Sequence, residues 1–162
     1  MGGRLRDTRP VLITAISPTD ESLGAELLAL QKAAYAVEAA IIKDDRIPPL
    51  HESLAGLRAQ PLRWLGAVDE DGRLAGAVAW EETDDEVDVN RLIVHPSALR
   101  RGIGRALVKE VLVRAGTRRV VVSTGRDNAP ARRLYEGLGF VPAGETEVIP
   151  GLWIADYALV PS

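Results

Sequence analysis

Residues Leu92 to Leu107 read LIVHPSALRRGIGRAL, a strand end, a basic loop and a helix start in sixteen residues. Leu92-Ile93-Val94 has the apolar, β-branched character of a strand end, and His95-Pro96 interrupts it. A basic loop follows, and then Ile103, Leu107, Val111 and Ala115 recur at helical spacing. Glycines at such a strand–loop–helix junction let backbone N–H groups approach a ligand closely. The first helical turn adds unpaired donors and the positive end of the helix dipole. Arg100, Arg101 and Arg105 place formal positive charge around the same point. Chemistry of this kind holds an anion, and a pyrophosphate fits it best. It is not a P-loop, because no GxxxxGK run is present. Nor is it a dinucleotide fingerprint: Leu107 stands where the third glycine would be, and positions 118–126 offer no acid for a ribose.

Immediately upstream, Glu86 to Val94 reads as a strand whose pattern slips. Val87 and Val89 fall on odd positions and Leu92 and Val94 on even ones, with Asn90-Arg91 between. One inserted residue, a β-bulge, would swap the buried face in mid-strand. Burial of both faces at the C-terminal end would account for the same pattern, since Ile93 is apolar too.

The rest of the chain alternates strands and helices. Val11 to Ile16 reads as a strand, and Ser17-Pro18-Thr19-Asp20 as a turn and helix cap. Leu23, Leu27, Leu30, Ala34 and Val37 mark a long helix from about Glu21 to Ile42. Its most apolar part, Ala33 to Ile42, is interrupted by a single acid, Glu38. A shorter helix over Glu52 to Arg58 precedes two strands, Trp64 to Val68 and Leu74 to Trp80. These are joined by Asp69-Glu70-Asp71-Gly72, a hairpin signal. Beyond the basic helix come a strand over Arg119 to Ser123 and a helix over Asn128 to Leu138. Phe140-Val141 and Leu152 to Val160 supply the last strands. The alternation predicts an α/β (α+β) sheet with some parallel pairing in a single domain spanning residues 1–162, with a flexible N-terminus over 1–10.

Asn90 to Leu107 resembles motif A of the GNAT superfamily of acyl-CoA-dependent N-acetyltransferases. In that pattern a strand end leads through Arg/Gln-x-x-Gly-x-Gly/Ala into a helix. Asn128 to Phe140, NAPARRLYEGLGF, resembles the same family's motif B at the expected distance downstream. The resemblance implies a central mixed, mostly antiparallel twisted sheet of about six to seven strands. About four helices would flank it, and its fourth strand would be bulged. It implies acetyl-CoA as co-substrate, an amine as acceptor, and direct transfer in a ternary complex. The strand end Leu92, Ile93, Val94 would bind the donor, with the amides of Leu92 and Val94 on the acetyl carbonyl and pantetheine arm. The loop Arg100, Arg101, Gly102, Ile103, Gly104, Arg105 would hold the pyrophosphate, and Asn128 would contact the pantetheine. Tyr135 would act as general acid toward the departing sulfur.

The sequence departs from the family twice. Leu99 stands at the first motif position, usually Arg or Gln. Asn90 stands where many members carry a carboxylate base, so the base is sought at Glu81, with Glu82 and Asp88 as the alternatives, acting directly or through water. A non-catalytic acyl-CoA sensor of the same fold is the competing reading.

Composition excludes other chemistries. With no cysteine, thiolate metal sites, disulfides and a Cys nucleophile are ruled out, and two histidines, His51 and His95, cannot make a three-His centre. No metal is therefore expected. Seven bases and one acid lie between Arg100 and Arg119, but no aromatic residues interleave them and the net charge is −3, so no nucleic acid is expected as a partner. The first ten residues lack an apolar core, and no run approaches the roughly 18–20 apolar residues of a membrane span. The expected setting is cytoplasmic and not membrane-bound. Dimers are common in the family, which leaves a homodimer open.

Overall fold

The computed structural model describes residues 10–160 of the chain. Apart from Pro10, the N-terminal segment expected to be flexible lies outside the described residues. Seven strands form one sheet: β1 (Leu12–Ile16), β2 (Arg63–Val68), β3 (Leu74–Glu82), β4 (Glu86–Val94), β5 (Arg119–Gly125), β6 (Val141–Ile149) and β7 (Leu152–Leu159). Their order is β1-β2-β3-β4-β5-β7-β6, antiparallel throughout except for the parallel β4–β5 pair. Four α-helices accompany them: α1 (Glu21–Ile42), α2 (Leu54–Ala59), α3 (Ile103–Ala115) and α4 (Ala129–Gly137). The expected fold class is the one observed.

Helices cover the sheet from two sides, and each side has its own core. Leu27, Leu30 and Tyr35 of α1 and Leu57 of α2 pack on Trp64, Ala77, Ala79 and Ile93. On the opposite face Ile103, Leu107, Val108 and Val111 of α3 and Tyr135 of α4 pack on Leu65, Val78, Trp80, Val87 and Val89. The spacing of apolar residues at three and four along α1 and α3 is what lets each helix bury one stripe. Asp20 starts α1 by accepting hydrogen bonds from the amides of Ser22 and Leu23. Gly24 in its first turn sits so close to the Pro18 carbonyl that a Cβ would lie 2.5 Å from it.

The slip in β4 is a bulge. Trp80 pairs with Val89 and Ala79 with Arg91, so Asn90 has no opposite residue. Val87 and Val89, before it, belong to the α3 side. After it, Leu92 and Val94 pack on that same side while Ile93 is buried on the α1 side. Both readings of the pattern therefore hold: a residue is inserted, and the strand end is buried on two faces.

Element limits follow the sequence within two residues except at the last hairpin. There the sequence predicts only a short segment at Phe140-Val141, whereas β6 runs on to Ile149 as an edge strand with all nine residues exposed. With neither face covered, its side chains had no reason to alternate, so no period betrays it.

Candidate active site

The rungs between β4 and β5 run only from Glu86↔Arg119 to Val89↔Val122. Beyond the bulge β4 stays with β3, and Ser123, Thr124 and Gly125 of β5 stay with β7, so the two parallel strands part. A cleft of about 360 Å³ opens at the divergence, lined from β4 by Val89 to Leu92 and from β5 by Val122 to Gly125. Helix α1 closes one side with Tyr35, Glu38 and Ile42, and α4 contributes Asn128, Ala131 and Tyr135. Val148, Leu152 and Ile154 of the last hairpin form a further wall. A larger recess of about 570 Å³ along Ala39 to Arg46 contains none of the predicted site residues.

His95 N–H donates to the Ala75 carbonyl at 2.8 Å. Hydrogen-bonded pairs alternate along an antiparallel ladder, so Ile93 and Arg91 also address β3. The amides of Leu92 and Val94 then face away from β3, on the side where β5 has departed.

The basic loop is built as its sequence suggested. His95 accepts at Nδ1 from the Ser97 amide and starts a single 3₁₀ turn, Pro96–Ala98, so this histidine shapes the turn. Arg100 and Gly102 both adopt left-handed backbone, with φ of 67° and 76°. Gly102 caps α3 without a side chain, which leaves the first amides of that helix uncovered by any capping group. Arg100 and Arg105 are exposed, Arg101 and Gly104 half-buried, and Ile103 anchors the helix in the core. Leu99, at the departing motif position, is exposed.

Asn128 is buried and caps α4, its Oδ1 accepting from the Ala131 amide at 3.3 Å. Tyr135 is 4% exposed and packs edge-on against Phe140, ring centroids 5.6 Å apart. Burial pushes its phenol well above the ordinary range, and the negative charge of Glu38 adds to the shift. Leu92, Asn128 and Tyr135 therefore meet in the cleft. Glu81 does not line it: this exposed residue lies opposite Asp88 on paired strands. Burial raises the Asp88 carboxyl, and the charges of Glu81 and Glu86 raise it further. Glu82 is held by Arg63 and Arg118.

Two features of the site escaped the sequence. Arg91, one residue past the bulge, is 6% exposed and reaches back beneath α1. It donates to Gln31 at 2.9 Å and to both carboxylate oxygens of Glu52, and its Nε donates to Asn90. Gln31 in turn donates to Glu52 and to the Pro49 carbonyl. Burial works against the Glu52 charge, but the hydrogen bonds from Arg91 and Gln31 outweigh it and hold the carboxyl below its usual range. The second is Glu38, whose Oε1 faces the Gly125 amide at 3.3 Å and the Thr124 hydroxyl at 3.4 Å across the divergence. A lone acid in an apolar helical stretch was the available signal for it.

Among the described residues no cluster of histidines and acids could hold a metal ion, and no helix is long and apolar enough to cross a membrane.

Comparison with known proteins agrees with this geometry. The UPF0157 protein YqkA of Bacillus subtilis is 32% identical over 151 residues, covering 93% of this chain and 44% of that protein. A mycothiol acetyltransferase of Beutenbergia cavernae is 40% identical over 86 residues, covering 50% of this chain and 29% of its own. The chain thus spans less than half the length of these two relatives. Among solved structures, the ribosomal-protein-S18-alanine N-acetyltransferase of Escherichia coli superimposes with a TM-score of 0.71 at 19% identity, covering 93% of each chain. PaiA N-acetyltransferase of Thermoplasma acidophilum, in complex with coenzyme A, gives 0.69 at 16% identity, covering 90% of this chain and 97% of that one. At these identities the likeness speaks for the fold. Residues 26–140 match the acetyltransferase (GNAT) family, and the chain belongs to that family.

Proposed function

We propose that the protein moves an acetyl group from acetyl-CoA to a primary amine by direct transfer, both substrates being held in the cleft at once. The observation that carries this reading is the parting of β4 from β5 beside an α-helix whose start is a glycine cap ringed by arginines. Acetyl-CoA is a substrate here rather than a resident group. The uncovered amides of α3, with Arg100, Arg101 and Arg105, suit its pyrophosphate. The outward amides of Leu92 and Val94 suit the pantetheine arm and the oxyanion that develops on the acetyl carbonyl. Asn128 uses its Oδ1 in the helix cap, which leaves its amide NH₂ to serve the arm.

Tyr135, kept protonated by burial, supplies a proton to the departing sulfur. Glu81, the proton acceptor expected from the sequence, lies outside the cleft lining. Orientation of two substrates in one cleft supplies the rest of the rate, without a covalent enzyme intermediate. A cytoplasmic setting goes with this reading, as does a small-molecule or peptide amine as acceptor rather than nucleic acid.

The test is calorimetric titration with acetyl-CoA, free CoA and NAD, followed by thiol release with amines. Acetyl-CoA should bind at micromolar Kd and NAD should not bind. Gly102→Glu should weaken acetyl-CoA about 100-fold, because it puts a strained left-handed residue and a negative charge where the pyrophosphate is expected. No atom lies within 4 Å of a Cβ at this position, so no clash adds to the backbone strain of about 1–2 kcal/mol, and a thermal melt of the variant checks that it stays folded. An unchanged Kd in the variant would move the pyrophosphate site elsewhere. Binding without thiol release to any amine would favour the sensor reading.

A further inference from the structure

The geometry points to Glu38 of α1 as the cleft carboxylate that binds the ammonium group of the acceptor and takes its proton, selecting amines whose body is apolar and carries no carboxylate. This rests on the acetyl-transfer reading and deepens it.

Three observations carry the inference. Glu38 is the one carboxylate among the described residues that line the cleft. Its Oε1 is steadied by the Gly125 amide and the Thr124 hydroxyl, on the strand that swings away from β4. That fixes an acid of a flexible side-chain type at the divergence itself, on the side opposite α4. The charged or titratable neighbours are few: Tyr35 on its own helix, Arg91 on β4 and Tyr135 on α4, while β5 offers only uncharged donors. The Glu38 charge acts on both tyrosines, raising them further after burial has done so.

The body of the acceptor follows from what else is present. Arg91 is the one cation among the described residues of the lining, and its nitrogens already serve Glu52, Gln31 and Asn90. Among the described lining residues no cation is left to receive an acceptor carboxylate. Ile42, Ile47, Pro49, Leu152 and Ile154 give the space an apolar wall, and the polar side chains beside it, Asn90, Ser123, Thr124 and Asn128, are uncharged.

The step balances as follows. The ammonium gives one proton to Glu38, and the freed amine forms a C–N bond with the acetyl carbonyl carbon. When the C–S bond breaks, the Tyr135 hydroxyl protonates the sulfur. Tyr135 is restored by the second proton of the new amide nitrogen, and Glu38 returns its proton to solvent.

The experiment measures thiol release from acetyl-CoA with a panel of primary amines led by phenethylamine and its carboxylated counterpart phenylalanine. It compares wild type, Glu38→Gln and Glu81→Gln over a range of pH. Phenethylamine should be the better of the pair. Glu38→Gln should lower kcat about 100-fold near neutrality. Its deficit should shrink as pH rises toward the amine's own value of about 10, where free amine no longer needs a base. Its acetyl-CoA Kd and melting temperature should stay near wild type, because glutamine keeps an acceptor for Gly125 and Thr124. Full turnover by Glu38→Gln, or a pH-dependent loss in Glu81→Gln instead, would overturn the assignment while leaving acetyl transfer standing. Preference for phenylalanine would overturn the substrate class. Absence of thiol release by the wild type with every amine would remove the transfer reading and Glu38 with it.

Discussion

Tyr135→Phe is expected to lower kcat roughly 10²–10⁴-fold while leaving the acetyl-CoA Kd almost unchanged. The substitution removes one oxygen and keeps the ring. The edge contact to Phe140 and the tilted contact to Tyr157, at 5.6 and 6.1 Å between centroids, both survive. A buried phenol that burial and Glu38 together keep protonated is a donor across the working pH range. Its loss should therefore appear in the step that expels the thiolate and not in substrate binding. Rates with a weakly nucleophilic amine, alongside thermal melts, are the measurement. Unchanged turnover at wild-type stability would reduce Tyr135 to a wall of the cleft.

Arg91→Met is expected to cost about 3–5 kcal/mol of stability, the usual penalty for stranding one partner of a buried ion pair. Glu52 would keep its burial, with 12% of the side chain exposed, and would lose its counter-charge. At about 2–4 °C per kcal/mol for a domain of this size, the melting temperature should fall by roughly 6–20 °C. Adding Glu52→Leu should recover most of the loss, since paired removal abolishes the orphan charge. The pH dependence has a definite sign. The Glu52 carboxyl is lowered in the folded protein, so its contribution is complete above the unfolded value of about 4.3 and fades as pH falls through the folded value. Wild type and Arg91→Met should therefore converge in acid. A loss under about 1 kcal/mol at neutral pH would show that the pair does little to hold α1 and the α1–α2 connection to the sheet.

What the sequence reveals here depends on whether the deciding interaction is local. The strand–loop–helix junction at Leu92 to Leu107 and the slip at Asn90-Arg91 involve neighbours along the chain, and each is where its residues predicted. Arg91 with Glu52 and Gln31 joins residues 39 and 60 positions apart. Nothing nearby marks Arg91 as buried; in the strand it reads as a polar residue beside a bulge. The length of β6 was hidden for the opposite reason, since an uncovered edge strand imposes no pattern. Glu38 lay between. The sequence showed an acid interrupting an apolar helix, and only the sheet topology shows that β5 stands opposite it. The choice of Glu81 followed charge density, which marks a solvated hairpin as readily as a cleft.

Leu92 and Val94 each answer to two masters. Their side chains fill the core beneath α3, and their amides are turned by strand alternation toward the gap left by β5. A core residue normally drifts among Leu, Ile, Val and Met while its neighbours readjust, and the surface never registers the change. At these two positions a readjustment of the backbone by a fraction of an ångström would re-aim the amides as well. Evolution can vary the exposed residues of the basic loop or of β6 without touching the packing. It cannot repack this end of β4 without also retuning the cleft.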